Sequence, residues 1–200
     1  MAREAGDIAW AAGWEPLYVA RNKSELDSFR FPQYAILEAE VERYNEIPFV
    51  IGIGENTVRE FVADRYRTKL RFTNLIHPSA TFGQGQREVL ERSSGNIVAA
   101  GARFTNGIEV GEFCIFNQNT TVAHDCLVDS FVHVAPGANV SGNVHLKRGC
   151  WIGAAAVINQ GSNQKKLAVG EGTVIGSGAV VLENCTAGAV YVGVPAKRIR

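Results

Sequence analysis

The sequence predicts a parallel β-solenoid of stacked triangular coils in its second half, preceded by a small α/β unit. Three observations carry this. An apolar residue recurs every six positions from Val98, a small or β-branched residue recurs four positions later, and helix and strand signals alternate before residue 75.

Written in sixes, the first position reads Val98, Phe104, Val110, Phe116, Val122, Val128, Val134, Val140, Leu146, Ile152 and Ile158. After a longer spacing it resumes at Val169, Ile175, Val181 and Ala187. The fifth position reads Ala102, Ile108, Cys114, Thr120, Cys126, Val132, Ala138, Val144, Cys150, Ala156 and Ser162, then Thr173, Ala179 and Cys185. One large and one small inward residue per six is what a narrow coil holds at interior packing density. The fourth position is rich in Gly and Asn, from Gly101 and Gly107 to Gly178 and Asn184. These residue types accept a positive φ and suit a corner. Three six-residue units then close one coil, and each strand pairs with the strand one coil away. A plain alternating sheet would not hold one phase over roughly sixty residues without a hairpin or linker. Each buried aliphatic side chain contributes roughly 1.5–3 kcal/mol against ordering entropy, so several stacked coils are stable where one is not.

All four cysteines fall at the small inward position and read as buried hydrophobes; no CxxC pair suggests zinc or redox chemistry.

In the first half, residues 3–13 read as a helix, with Ile8, Ala9 and Ala12 on one side and Gly13 as its stop. Leu17–Ala20 reads as a strand, and the apolar run Pro48–Ile53 as a buried parallel strand. A helix from Thr57 to Lys69 carries Val58, Phe61, Val62 and Tyr66 at helical spacing, and Phe72–Ile76 is a further strand. The domains expected are therefore 1–75 (α/β), 76–97 (transition, interrupted by the polar runs at 86–88 and 91–94) and 98–200 (solenoid).

Composition narrows the function. Net charge is zero and the pI is about 6.9, so no basic field drives nucleic-acid or anionic-membrane binding. No apolar run approaches a membrane span, and the opening residues lack a signal-peptide layout, so a cytoplasmic chain is expected.

The histidines are the candidates for chemistry. His77 precedes Pro78 and reads as a turn residue; His145 ends a repeat with no carboxylate beside it in sequence and reads as a surface or corner residue. His124 sits at an outward third position next to Asp125. A carboxylate there can fix one imidazole tautomer, as a general base requires, although a solvated surface pair has the same signature. His133 lies nine residues on, on a different face of one solenoid. Steps of nine and twelve between His124, His133 and His145 give no common face, so no metal site is expected.

On these residues the chain resembles the family of sialic-acid O-acetyltransferases and UDP-amino-sugar N-acetyltransferases, typified by the bacillosamine-pathway and perosamine enzymes. The resemblance is carried by Ile51–Asn56 with Arg59, Ile76–Ala80, Val122–Asp125, Phe131–Ala138 and the closing Val192–Lys197. It implies a left-handed parallel β-helix, a Rossmann-like N-terminal domain that binds a nucleotide sugar, and a homotrimer with acetyl-CoA between subunits. It also implies that His124 is the general base for the sugar amino group and that Asp125 orients it, where the family usually has Glu. His133 would meet the acetyl end of acetyl-CoA, and the Gly142 N–H would support the oxyanion. Ala154 and Gly176 would line the pantetheine path, with Lys197 and Arg198 partners for CoA phosphates. Gly54, Asn56 and Arg59 are then candidate acceptor contacts. The family's opening strand and Gly-rich turn have no counterpart before Ala2–Ala5, which would leave a sheet edge uncovered. Two alternatives accompany the N-acetyltransferase reading: sugar O-acetylation, and a truncated, non-catalytic solenoid scaffold.

Overall fold

The computed structural model describes residues 1–29 and 32–200. From Leu75 onward the backbone is a parallel β-helix. Strands of two or three residues fall into an eight-, a six- and a four-stranded sheet. Lateral partners lie one coil apart, as in Val98 beside Phe116, Phe116 beside Val134 and Val134 beside Ile152. Every third six-residue unit thus joins the same sheet, which makes each coil a triangle.

The inward positions behave as the period predicts. The first-position residues from Val98 to Ile158, with Val169, Ile175 and Val181, are all at most 9% exposed and form one core. The fifth-position residues from Ala102 to Ala156 are buried as well, and all but the polar Thr120 pack into the same core. Two inward assignments fail. Ala187 is exposed, and the last rung is filled by the buried Ala189 and the partly buried Tyr191. Ser162 is also exposed, in a loop that leaves the coil.

Corners take a left-handed backbone, and several do so without glycine: Phe113 (φ 56°), Asn119 (58°), Asp125 (57°), Phe131 (63°), Asn143 (57°) and Ala155 (56°). This conformation is unfavourable for a bulky residue, so it persists where surrounding contacts over-determine it. Phe113 and Phe131 illustrate this: they are buried and stack on each other, ring centroids 5.3 Å apart.

The solenoid begins earlier than the repeat alone indicates. Leu75–Ile76 pairs with Ile97–Val98, and Thr81–Phe82 with Arg103–Phe104, so the 76–97 segment contributes to the first coil. The first of the polar runs that interrupt its period builds a short helix, Gln86–Leu90, and the second follows it as a turn. Leu90 is fully buried in the solenoid core, and the Gln86 amide bonds both backbone groups of Ile108 (2.7 and 3.0 Å). A side chain thereby stands in for the strand that a further coil would have provided. At the other end, Lys197–Arg198 folds back antiparallel on Val190–Val192, and Val180 bonds Gly193 and Ala196.

The N-terminal unit covers the eight-stranded sheet. Ala5, Ile8 and Ala9 of the helix Ala2–Ala11 pack on Leu75, Ile97, Ala99 and Ile115. Tyr18–Ala20 pairs in parallel with Ala35–Leu37. The expected strand Pro48–Ile53 is reduced to a single parallel bridge, Phe49 to Phe72. Beyond it, the N–H groups of Val50, Ile51 and Gly52 have no hydrogen-bond partner among the described residues. They border a cavity of about 1160 Å³ whose lining also includes Tyr18, Val19 and Ile36. Without a neighbour on that side, the ladder has nothing to extend it.

The following helix, Asn56–Tyr66, is rotated from the expected apolar stripe. It buries Asn56, Arg59, Ala63 and Tyr66, whereas Val58 and Phe61 are 46% and 66% exposed. No helix of the described residues is long and apolar enough to cross a membrane.

Candidate active site

His124 and Asp125 occupy the corner between the strands Thr121–Val122 and Leu127–Val128. The left-handed φ of Asp125 turns the chain there, and the Asp125 N–H is fixed on the Asn106 carbonyl (3.1 Å). Below, the Asn143 N–H bonds the His124 carbonyl (2.9 Å). The imidazole Nδ1–H donates to Asp125 Oδ2 at 2.8 Å, which leaves Nε2 with a free lone pair. The ring lies half-exposed over Gly142, where any Cβ would overlap it. The Gly142 N–H has no hydrogen-bond partner among the described residues. A proton acceptor and an unused backbone donor thus adjoin one another on an open corner, as acyl transfer requires.

The other expected cofactor residues are arranged differently. His133 is 3% exposed, on the sheet face that the N-terminal unit covers. Its Nδ1–H donates to the Gly54 carbonyl (2.9 Å), its Nε2 accepts from the Asn117 amide (2.8 Å), and its ring packs on Trp151. Burial pulls its pKa down to about 4 and the ring is held neutral. Within one chain it therefore joins two parts of the fold and does not face His124. The Gly176 N–H is taken by the Tyr191 carbonyl, and the Ala154 carbonyl by the Gly178 N–H, both at 2.8 Å. Lys197 and Arg198 are exposed on the final strand.

The three acceptor candidates make hydrogen bonds within the fold. Arg59 is fully buried and spends its guanidinium on five acceptors. Nε bonds the Phe113 carbonyl, Nη1 those of Ile53 and Gly54, and Nη2 the Asn56 amide oxygen and the Phe131 carbonyl, at 2.7–3.0 Å. Burial lowers its pKa to about 10, so it remains a cation. Asn56, also buried, donates to the Gly149 and Cys150 carbonyls. The Gly54 carbonyl is shared by Arg59 and His133. Together these groups fasten the N-terminal unit to the solenoid, and the Arg59 guanidinium and Asn56 amide donors are all taken within the fold.

His145 has a carboxylate partner that adjacency in sequence could not reveal: Asp129 Oδ1, 3.0 Å from Nε2. Lys166 was also missed. Its ammonium donates to the backbone carbonyl of Asp125, which brings a cation to the His124 corner. Its only signal is its position in the break of the six-residue period. The cysteines are free and buried, and burial pushes the Cys114 thiol up to about 12, which removes it as a nucleophile.

No protein-family model matches the chain. It is 36% identical over 107 residues to the GDP-perosamine N-acetyltransferase of Escherichia coli O157:H7, covering 54% of this chain and 48% of that protein. A serine acetyltransferase of Buchnera aphidicola (from Acyrthosiphon pisum) is 26% identical over 159 residues, 78% of this chain and 48% of that protein. The chain therefore spans about half the length of these curated relatives. Among solved structures, the acetyltransferase domain of PglB from Neisseria gonorrhoeae FA1090, in complex with acetyl coenzyme A, superposes with a TM-score of 0.82 at 26% identity, covering 98% of this chain and 93% of that one.

Stacked six-residue rungs with a His–carboxylate pair on an open corner define a hexapeptide-repeat solenoid, the class to which these acetyltransferases are similar. Within that class, the chain is similar to sugar N-acetyltransferases, over about half of its length in sequence and nearly all of it in fold.

Proposed function

We propose that the protein transfers the acetyl group of acetyl-CoA to the amino group of a nucleotide-linked sugar. The observation that carries this reading is the His124 corner, where Nε2 stands free beside the unpaired Gly142 N–H. The amine nitrogen attacks the thioester carbonyl while His124 Nε2 takes its proton. The Gly142 N–H supports the oxyanion. Collapse breaks the C–S bond, and the thiolate of CoA leaves with the proton that His124 returns. Asp125 holds the imidazole in the required tautomer throughout.

Under this reading the coils are left-handed, three copies assemble in the cytoplasm and acetyl-CoA lies between neighbours. The exposed Lys197 and Arg198 supply cations for its phosphates. Residues 1–75 act as a Rossmann-like holder for the nucleotide. The GDP-perosamine N-acetyltransferase relative supports a nucleotide-sugar acceptor, and the acetyl-CoA complex of the PglB domain supports the donor. The likeness to a serine acetyltransferase favours a hydroxyl acceptor as the second reading, because the same base serves either nucleophile.

The test is incubation with acetyl-CoA and a panel of GDP-, UDP- and dTDP-linked amino sugars, following free thiol and product mass. Turnover of one panel member is expected. Transfer only to free sugars or to hydroxyls would overturn the N-acetyl reading, and no acetyl-CoA binding by calorimetry would favour a scaffold.

A further inference from the structure

The solenoid breaks its six-residue period between Ile158 and Val169, which lie eleven residues apart. The break is anchored beneath the His124 corner. The Gly161 N–H bonds the Gly142 carbonyl and the Leu167 N–H bonds the Asn143 carbonyl, both at 3.1 Å. Any Cβ at Gly161 would overlap the Asn143 carbonyl, so the loop's first residue must be glycine. The loop closes on itself through reciprocal Ser162 and Lys165 backbone bonds of 2.9 and 3.1 Å, which limits its freedom.

From this ledge Lys166 reaches the Asp125 carbonyl, the peptide that carries the tautomer-fixing carboxylate. An ammonium has three donors, and this bond uses one. No carboxylate pairs with Lys166 among the described residues. Its charge reaches the core below, where it opposes the burial that pushes the Cys126 thiol up to about 11. The corner thus holds a half-buried cation with two unused donors.

Two anionic groups are available in the reaction, and chain length separates them. The phosphates of CoA lie a whole pantetheine arm from the thioester. The diphosphate of a nucleotide-linked sugar lies one sugar ring from the reacting amine. A cation one peptide away from the general base is placed for the second. Resting on the acetyl-transfer reading above, we propose that Lys166 is an acceptor-binding residue that takes the sugar-linked phosphate of the nucleotide diphosphate.

Lys166→Gln and Lys166→Arg in the full chain test this. Lys166→Gln is expected to raise KM for the nucleotide sugar on the order of 10–100-fold, the equivalent of one charge-assisted hydrogen bond. KM for acetyl-CoA and kcat should hold, and Lys166→Arg should restore most of the loss. A fall in kcat with the acceptor KM unchanged would overturn the proposal, because Lys166 would then act only by holding the Asp125 peptide. A raised KM for acetyl-CoA alone would also overturn it. Should the wild type acetylate none of the panel, the parent reading fails. The site is then read by calorimetry with GDP and UDP, where equal affinities of wild type and Lys166→Gln would overturn it and a weakened Lys166→Gln would support it.

Discussion

The solenoid and the N-terminal unit are built on opposite terms. In the solenoid one short pattern repeats, and each strand meets its like one coil above and one below, so packing and pairing are satisfied together. The N-terminal unit has two short strands, a lone bridge and a cavity of about 1160 Å³ where the bridge segment and the Tyr18–Ala20 pair could otherwise meet. Its tightest order lies where it touches the solenoid, through Arg59, Asn56 and His133. The solenoid organises itself, whereas the N-terminal unit is organised by its partner.

The contrast can be broken or sharpened experimentally. His124→Ala has the largest expected effect: a fall in acetyl transfer of about 10²–10⁴ with an unchanged melting temperature, because the ring is half-exposed and its loss opens no core. Unchanged turnover would take the chemistry away from the solenoid corner. Arg59→Met should destabilise by on the order of 3–5 kcal/mol, since it leaves buried carbonyls unpaired. Hydrogen exchange should quicken in Asn56–Tyr66 while amides around Leu146 stay protected. Equal quickening in both would make the two regions one cooperative unit.

A third prediction concerns pH. His133 titrates near 4 when folded against about 6.5 in an unfolded chain. Between those values the unfolded state binds the extra proton, so the stability from neutral His133 is present above pH 6.5 and is lost as pH falls towards 4. The loss amounts to roughly 3 kcal/mol. Urea midpoints of His133→Asn should therefore fall less steeply over that window than those of the wild type, and parallel curves would refute the assignment. The smallest effect is expected at Phe61→Ser, within about 0.5 kcal/mol by urea unfolding, because that side chain faces solvent. A larger loss would mean that the face is covered.

The solenoid was legible because its rule is local: the residue at each sixth position points inward whatever lies far away in sequence. The rule stopped being readable at Gln86–Leu90, where a helix replaces a strand, and at Ala187, where the last rung turns. His124 with Asp125 was legible because the partners are adjacent. Arg59 was not, because a buried arginine bonded to carbonyls has the sequence signature of an exposed one; only the Phe113 and Phe131 corners reveal its acceptors. The helix that carries it was misread for the same reason: its buried stripe is partly polar, and Phe61 drew the apolar face to the wrong side.

The fold-back of Lys197–Arg198 on Val190–Val192 has a consequence for how molecules meet in solution. A solenoid left open at its last rung is a template for the next molecule, and end-to-end stacking would draw it into fibres. Here the outermost strand of the eight-stranded sheet runs the wrong way, is two residues long and carries two positive charges, while Gly193 and Ala196 occupy the backbone of Val180. Deleting residues 193–200 should therefore turn a discrete particle into a polymer, visible as growth in light scattering.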